Sequence, residues 1–290
     1  MKFTLSVGFC PVDHYLPLAM AGDASGWNAV SVPDGLFYFT QSSPYPYSAD
    51  GHRFWPSDTP FLDPFAVVAA MGAVTQRIAF YTNVLKLPVR HPLLVAKAAT
   101  SASALTKGRF GLGVGLSPWK EDFDVLGEDW RSRGPRSAEM VEIIRGISRG
   151  GRFEHEGEHY TIPSMEISPA AVDPFPIYFG GLVDAVFQRA ARLGDGYIWW
   201  ENAKSGLADF PAIVAALRDY LAANERKADG FEIKAFPSST KVDDLRRLAD
   251  AGMTDLIVMP WYFYAGDPND LGFRIDCVRR FAEDHFALFG

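Results

Sequence analysis

Short apolar runs alternate with helical patterns along the whole chain, and this alternation restricts the possible folds more than any other feature. The runs are Phe3–Phe9, Ala29–Pro33, Ile78–Leu87, Arg109–Leu116, Ile177–Phe179, Tyr197–Trp200, Phe231–Phe236 and Asp255–Pro260. Several are continuous Val/Ile/Phe-rich stretches, as expected of strands covered on both faces. Helical spacing fills the gaps. Asp63 followed by Pro64 reads as a cap and first helical position, with Phe65, Val68, Ala69, Gly72 and Ala73 on one face. Met140, Ile143, Ile144 and Ile147 repeat the spacing, as do Ile213, Leu217, Tyr220 and Leu221, and later Leu245, Leu248, Ala249 and Gly252. Further helices are predicted near 16–26, 93–106, 184–193 and 271–287, with Gly194 and Gly252 as left-handed helix ends. Eight strand–helix pairs with no linker predict one α/β domain over residues 1–290, a (β/α)8 TIM barrel. A doubly wound open sheet is the rival, and eight pairs in 290 residues favour closure.

Two segments stand outside the alternation. Residues 35–61 form a long loop rich in Pro, Tyr and Ser, and 152–168 read as a hairpin turning near Glu156-Gly157. Extra loops of that length usually carry function.

Composition narrows the class. Charged residues at 22% and hydrophobic ones at 48% exclude disorder, collagen and coiled coil. A net charge of −7 argues against a nucleic-acid partner. Cys10 and Cys277 stand far apart with no ligand spacing, and His155 and His159 fall in the hairpin among acids, so no metal site is predicted. The apolar start ends at Pro11, too short for a signal sequence, and no run matches a membrane span. A cytoplasmic enzyme without a membrane partner is the expectation.

In a barrel, chemistry gathers where strands end. Asp34, after the second strand, is a candidate general acid/base or a cap for the following loop. Asn83-Val84 interrupts the third run with a polar residue, which implies a bulge, a ligand contact or a turn. The fourth run ends in Gly113-Val114-Gly115-Leu116, and the fifth in Phe179-Gly180-Gly181 just before a helix. Either pair of glycines could be a plain turn; both at one rim suit a phosphate-bearing cofactor. Trp119, Trp199, Trp200, Trp261 and Tyr262 follow strand ends, where rings can stack on a flat cofactor. His52 lies in the long loop within reach of the mouth, and His91 starts a helix.

The same residues carry a family resemblance. Arg77-Ile78, Thr82-Asn83-Val84-Leu85, Val89-Arg90-His91-Pro92, Ala96–Ala99, Gly108-Arg109-Phe110 and Gly113-Val114-Gly115 together resemble the bacterial luciferase-like superfamily. Arg133-Gly134 with Arg136, Phe179-Gly180-Gly181 and Arg192–Gly196 add to the match. Pro44–Tyr47 and Thr59–Pro64 are similar to its F420-dependent oxidoreductase branch. The matches cover roughly residues 1–200, and the last third agrees only in pattern.

The resemblance implies a luciferase-like barrel, often a homodimer, binding the deazaflavin F420 or alternatively FMN. It implies a cis peptide at Asn83-Val84 in a third-strand bulge behind the ring, and phosphate near Val114–Leu116 and Gly180-Gly181. The cofactor-binding set is thus Asp34, Asn83, Val84, Val114, Gly115, Leu116, Phe179, Gly180 and Gly181. Two positions depart from the glucose-6-phosphate dehydrogenase members: the histidine after the second-strand aspartate is Gly35, and the glutamate after the fourth-strand glycines is Pro118. Asp34 and Glu121 are then the candidates for moving a proton. Three readings follow: an F420-dependent oxidoreductase transferring hydride to or from a small organic molecule, an FMN-dependent monooxygenase, and a non-catalytic flavin or deazaflavin binder.

Overall fold

The computed structural model describes residues 1–289. Its elements run β1 (Lys2–Ser6), α1 (Tyr15–Ala24), β2 (Ala29–Val32), α2 (Pro64–Ala73), β3 (Ala79–Thr82), β4 (Leu85–Lys86) and α3 (Pro92–Leu105). There follow β5 (Phe110–Gly115), α4 (Lys120–Leu126), α5 (Arg133–Ser148), β6 (Phe153–Glu156), β7 (Thr161–Met165), β8 (Ile177–Gly180) and α6 (Asp184–Leu193). The chain ends with β9 (Gly196–Trp200), α7 (Phe210–Ala223), β10 (Glu232–Phe236), α8 (Val242–Ala251), β11 (Asp255–Val258) and α9 (Leu271–His285). The sheet order is β3-β2-β1-β11-β10-β9-β8-β5, all parallel, and β3 also pairs with β5. Eight strands therefore close into a barrel, with the short β4 continuing β3 along β5.

Closure divides the apolar residues between two cores, because successive side chains on a strand point to opposite faces. On β5, Phe110, Leu112 and Val114 join the large core under the helices, while Gly111, Gly113 and Gly115 face the interior. These glycines are dictated by crowding. A Cβ on Gly113 would lie 1.9 Å from the Thr82 carbonyl oxygen, and one on Gly111 would lie 3.1 Å from the Tyr178 ring. The interior itself holds Ala29, Tyr81, Tyr178, Ile198 and Ile257. A buried polar network shares this interior: Lys234 Nζ lies 2.6 Å from both Asp255 and Glu232, and the Thr4 hydroxyl donates to Asp255 at 2.9 Å. Burial opposes the Lys234 charge, but Asp255 and its other neighbours outweigh it and hold the ammonium pKa well above the usual value.

Several local expectations change. Asp63 caps α2 as predicted, accepting from the Phe65 and Ala66 amides at 3.0 and 3.1 Å. The buried face of α2, however, is Val67, Val68, Met71 and Gly72, with Ala73 exposed. Gly252 has the left-handed φ of +120°, whereas Gly194 is extended at φ −90°. Gly194 is small for a different reason, since a Cβ there would sit 2.9 Å from Ala190 O and from the Phe179 ring. The hairpin is present as β6–β7. Glu139 of α5 anchors it, accepting from the His159 and Tyr160 amides at 2.9 and 2.8 Å and lying 3.1 Å from His155 Nε2. The His155 ring is part of that anchor, whereas His159 contributes its backbone amide, and among the described residues no cluster could hold a metal ion.

Candidate active site

A cavity of about 580 Å³ opens at the C-terminal ends of the strands, within the usual size of a cofactor or ligand pocket. Its floor comes from the third strand. Tyr81 pairs with Gly111 and Leu85 with Val114, so four steps along β3–β4 match three along β5. The extra residue is a bulge over Thr82–Val84. The Asn83-Val84 peptide within it is cis. Asn83 stays tied to the barrel, its amide donating to Val32 O at 2.7 Å and its side chain reaching Ser31 Oγ at 3.5 Å. Val84 enters the cavity over two glycines: a Cβ on Gly115 would lie 2.6 Å from Val84 Cγ2, and one on Gly180 2.8 Å from Cγ1. Gly115 and Gly180 are therefore required by one valine rather than by a turn.

The walls are aromatic. Phe9, Tyr45, Tyr47, Trp55, Phe61, Trp119 and Trp200 all line the space, several of them from segment 35–61. Tyr45 stacks on Trp119 with centroids 5.5 Å apart, and Trp55 packs edge-on against Phe61 and Trp119 at 5.9 and 6.3 Å and tilted against Phe9 at 5.6 Å. Burial pushes the Tyr45 and Tyr47 phenols above their ordinary range, so they act as neutral rings. Trp199 and Trp261 belong instead to the core under the helices, and Tyr262 is 61% exposed.

Two proton candidates turn out to be occupied. Asp34 lines the cavity, but its carboxylate accepts a two-pronged bridge from Arg90 at 2.8 and 2.9 Å and a third bond from the Lys86 amide at 2.8 Å. With three bonds on its two oxygens and its side chain 2% exposed, Asp34 locks the second and third strand ends together. Glu121 does not line the cavity; its Oε1 accepts from the Ser43 amide at 2.6 Å and hydroxyl at 2.9 Å. It fastens segment 35–61 to the start of α4. Burial raises its pKa, but the backbone and Ser43 donors prevail and hold it below the usual value. Val114 and Phe179 also leave the predicted set as side chains, because their strand positions face the helices. Asn83, Val84, Gly115, Leu116, Gly180 and Gly181 do meet in one cavity.

At the opposite edge, Gly181 has φ +143° and leads into α6, whose first turn has no side-chain cap. Arg133, stacked 3.6 Å over Trp130, lines the cavity, and Arg189 of α6 comes close to Gly134. Burial lowers the Arg189 pKa, and the charges of Arg133 and Arg192 lower it further. Crowded cations beside an uncapped helix start suit an anionic group. A fused-ring cofactor bearing a phosphate fits these residues. Val84 would lie against the ring, with phosphate between Gly181 and Arg133.

The sequence profile described as luciferase-like monooxygenase matches residues 11–281. The chain belongs to the luciferase-like family. It is 40% identical to an uncharacterized protein of Mycobacterium tuberculosis, with 99% of each chain covered. It is also similar to the F420-dependent glucose-6-phosphate dehydrogenase of Nakamurella multipartita, 31% identical over 73% of this chain and 59% of that one. Among solved structures, the coenzyme F420-dependent tetrahydromethanopterin reductase of Methanopyrus kandleri superposes with TM-score 0.77 at 15% identity, covering 100% of this chain and 99% of that one. That last likeness concerns the fold.

Members of the luciferase-like family are oxidoreductases and monooxygenases, and beyond the predicted set Lys86 and Arg53 also line this cavity, with Asp122 paired to Lys86. Lys86 Nζ pairs with the fully buried Asp122 at 2.7 Å. Arg53 lies between the Tyr38 and Trp119 rings at 4.3 and 4.5 Å, while its neighbour His52 does not line the cavity. A signal for Lys86 was present. It is a charge inside the run Ile78–Leu87, two residues after Val84 and therefore on the same strand face.

Proposed function

We propose that the protein is a deazaflavin-dependent oxidoreductase, using F420 to transfer hydride to or from a small organic molecule. The observation that carries this reading is Val84, raised by the bulge into an aromatic cavity and seated on Gly115 and Gly180. The similarity to an F420-dependent dehydrogenase supports the choice of coenzyme. Bound there, the coenzyme supplies a hydride-carrying ring carbon. The chain binds and orients it: Val84 against one face, Tyr45 and Trp119 enclosing the space opposite, and the Gly181 turn with Arg133 taking the phosphate. Segment 35–61 excludes water from the reacting face.

Glucose 6-phosphate is not the proposed substrate. At the position resembling the dehydrogenases' histidine stands Gly35, and a Cβ there would lie 2.6 Å from the Phe61 ring. Phe61 occupies the room a catalytic side chain would need. The apolar lining favours a small, largely apolar molecule. FMN-dependent oxygenation is the second reading, favoured by the family's description as luciferase-like monooxygenase.

Titration of the purified protein with F420 and with FMN, followed by tryptophan fluorescence, tests the assignment. Micromolar binding of F420 with little response to FMN is the expected result. FMN binding alone, with oxygen uptake in the presence of reduced flavin, would transfer the assignment to the monooxygenase reading. F420 binding without turnover across carbonyl and enone substrates would point to a carrier.

We also propose a homodimer joined through α2 and α3. α2 carries no charge and α3 only Lys97, yet Leu94 and Leu105 are 72% and 60% exposed. Light scattering should report twice 32.0 kDa, and a 32.0 kDa species would refute the dimer.

A further inference from the structure

We infer that Lys86 is the group that meets the negative edge of the coenzyme ring, a role that rests on the ring-binding reading above. Along β4, Leu85 turns to the helices and Lys86 turns inward, opposite Gly115. Its side chain is 6% exposed, and three neighbours fix the ammonium. Asp122 Oδ2 accepts from it at 2.7 Å, the Ser117 hydroxyl donates to that same oxygen at 2.6 Å, and the Trp119 ring lies 4.8 Å away. Ser117 takes a left-handed φ of +67° to reach Asp122. The arrangement holds a cation in place where a flexible lysine would otherwise swing into solvent.

What the ammonium lacks is enough acceptors. It carries three protons, and among the described residues only Asp122 accepts one. A buried donor without a partner is costly, so the remaining N–H groups favour an acceptor that enters the cavity. The other cations of this region have partners or tasks of their own, with only Arg53 Nε left unpaired and Arg133 set at the phosphate end. Arg90 is locked by Asp34, and Arg53 donates to Phe39 O at 3.2 Å and Ser42 Oγ at 3.0 Å. Arg133 stacks on Trp130 and donates to its carbonyl at 2.7 Å. Lys86 is two residues from Val84 on the same face, so it comes to the edge of whatever lies on Val84.

A reduced flavin or deazaflavin carries negative charge on its pyrimidine edge above neutral pH; the oxidised FMN ring is neutral, and oxidised F420 has its ionised hydroxyl on the ring at the other end. A directed ammonium there binds the reduced form preferentially. Lys86 then acts as a positioning and charge-matching group.

The test compares dissociation constants of oxidised and reduced coenzyme, F420 and FMN separately, by anaerobic quenching of tryptophan fluorescence. Wild type, Lys86→Met and the double variant Lys86→Gln with Asp122→Asn are measured at about pH 8 and about pH 6. The double variant removes both buried charges together, so the comparison survives if Asp122 alone destabilises the single variant. At pH 8 the variants are expected to lose roughly tenfold or more for the reduced form and much less for the oxidised form, about the effect of one hydrogen bond to a charged group. The gap should narrow at pH 6, where the reduced ring takes up a proton. Equal losses in both redox states, or none, would overturn the role of Lys86 while leaving the site assignment standing. Failure of the wild-type protein to bind either coenzyme would overturn both.

Discussion

Replacing Asp34 by Asn separates a structural carboxylate from a catalytic one. Asp34 accepts three bonds within 2.9 Å, two from Arg90 and one from the Lys86 amide, and its side chain is 2% exposed. Asn keeps one acceptor oxygen but turns an NH2 toward the guanidinium, so at least one Arg90 bond is lost and the Arg90 charge is left uncompensated. Breaking one partner of a buried pair costs about 3–5 kcal/mol. At roughly 2–4 °C per kcal/mol for a chain of this class, the thermal midpoint should fall by roughly 6–20 °C. Urea unfolding followed by tryptophan fluorescence measures the loss, and Arg90→Met should reproduce it. The reasoning fails if Asp34→Asn unfolds within about 0.5 kcal/mol of wild type while the pH profile of turnover changes. Asp34 would then be the proton donor that its position after the second strand first suggested.

Three further outcomes follow from the geometry. Gly180→Ala places a Cβ 2.8 Å from Val84 Cγ1; the valine must move, at a cost of about 1–3 kcal/mol, and coenzyme affinity should drop in a fluorescence titration while circular dichroism stays native. Glu121 has a folded pKa below its ordinary 4.5, so its hold on Ser43 is complete above that value and is lost as pH falls through the lowered one; an acid titration of tryptophan fluorescence should report segment 35–61 releasing there, and Glu121→Gln should weaken the latch at neutral pH. Burial pushes the Cys10 thiol up to about 12 against the opposing charge of Arg274, leaving roughly one thiolate in ten thousand at pH 8, so an aromatic disulfide reagent should label it only after unfolding.

The order of strands and helices, the hairpin and the bulge were legible in the chain because each leaves a local trace. Apolar runs mark the strands, spacing marks the helices, and an Asn inside the run Ile78–Leu87 marks the break. The glycines near 113–115 and 180–181 were equally visible. Their physical reason was not, because it lies in contacts between strands far apart in sequence: Thr82 over Gly113, and Val84 over Gly115 and Gly180. The same distance hid the fate of the carboxylates. A sequence places Asp34 and Glu121 at strand and helix boundaries, but only folding brings Arg90 to one and Ser43 to the other. It likewise brings Phe61 into the space beside Gly35, and Asp122 beneath Lys86. Local composition determined which elements form and which residues reach the barrel mouth. Which of those residues are free to act was decided by tertiary pairing, because a side chain's chemistry depends on the partners that already occupy it.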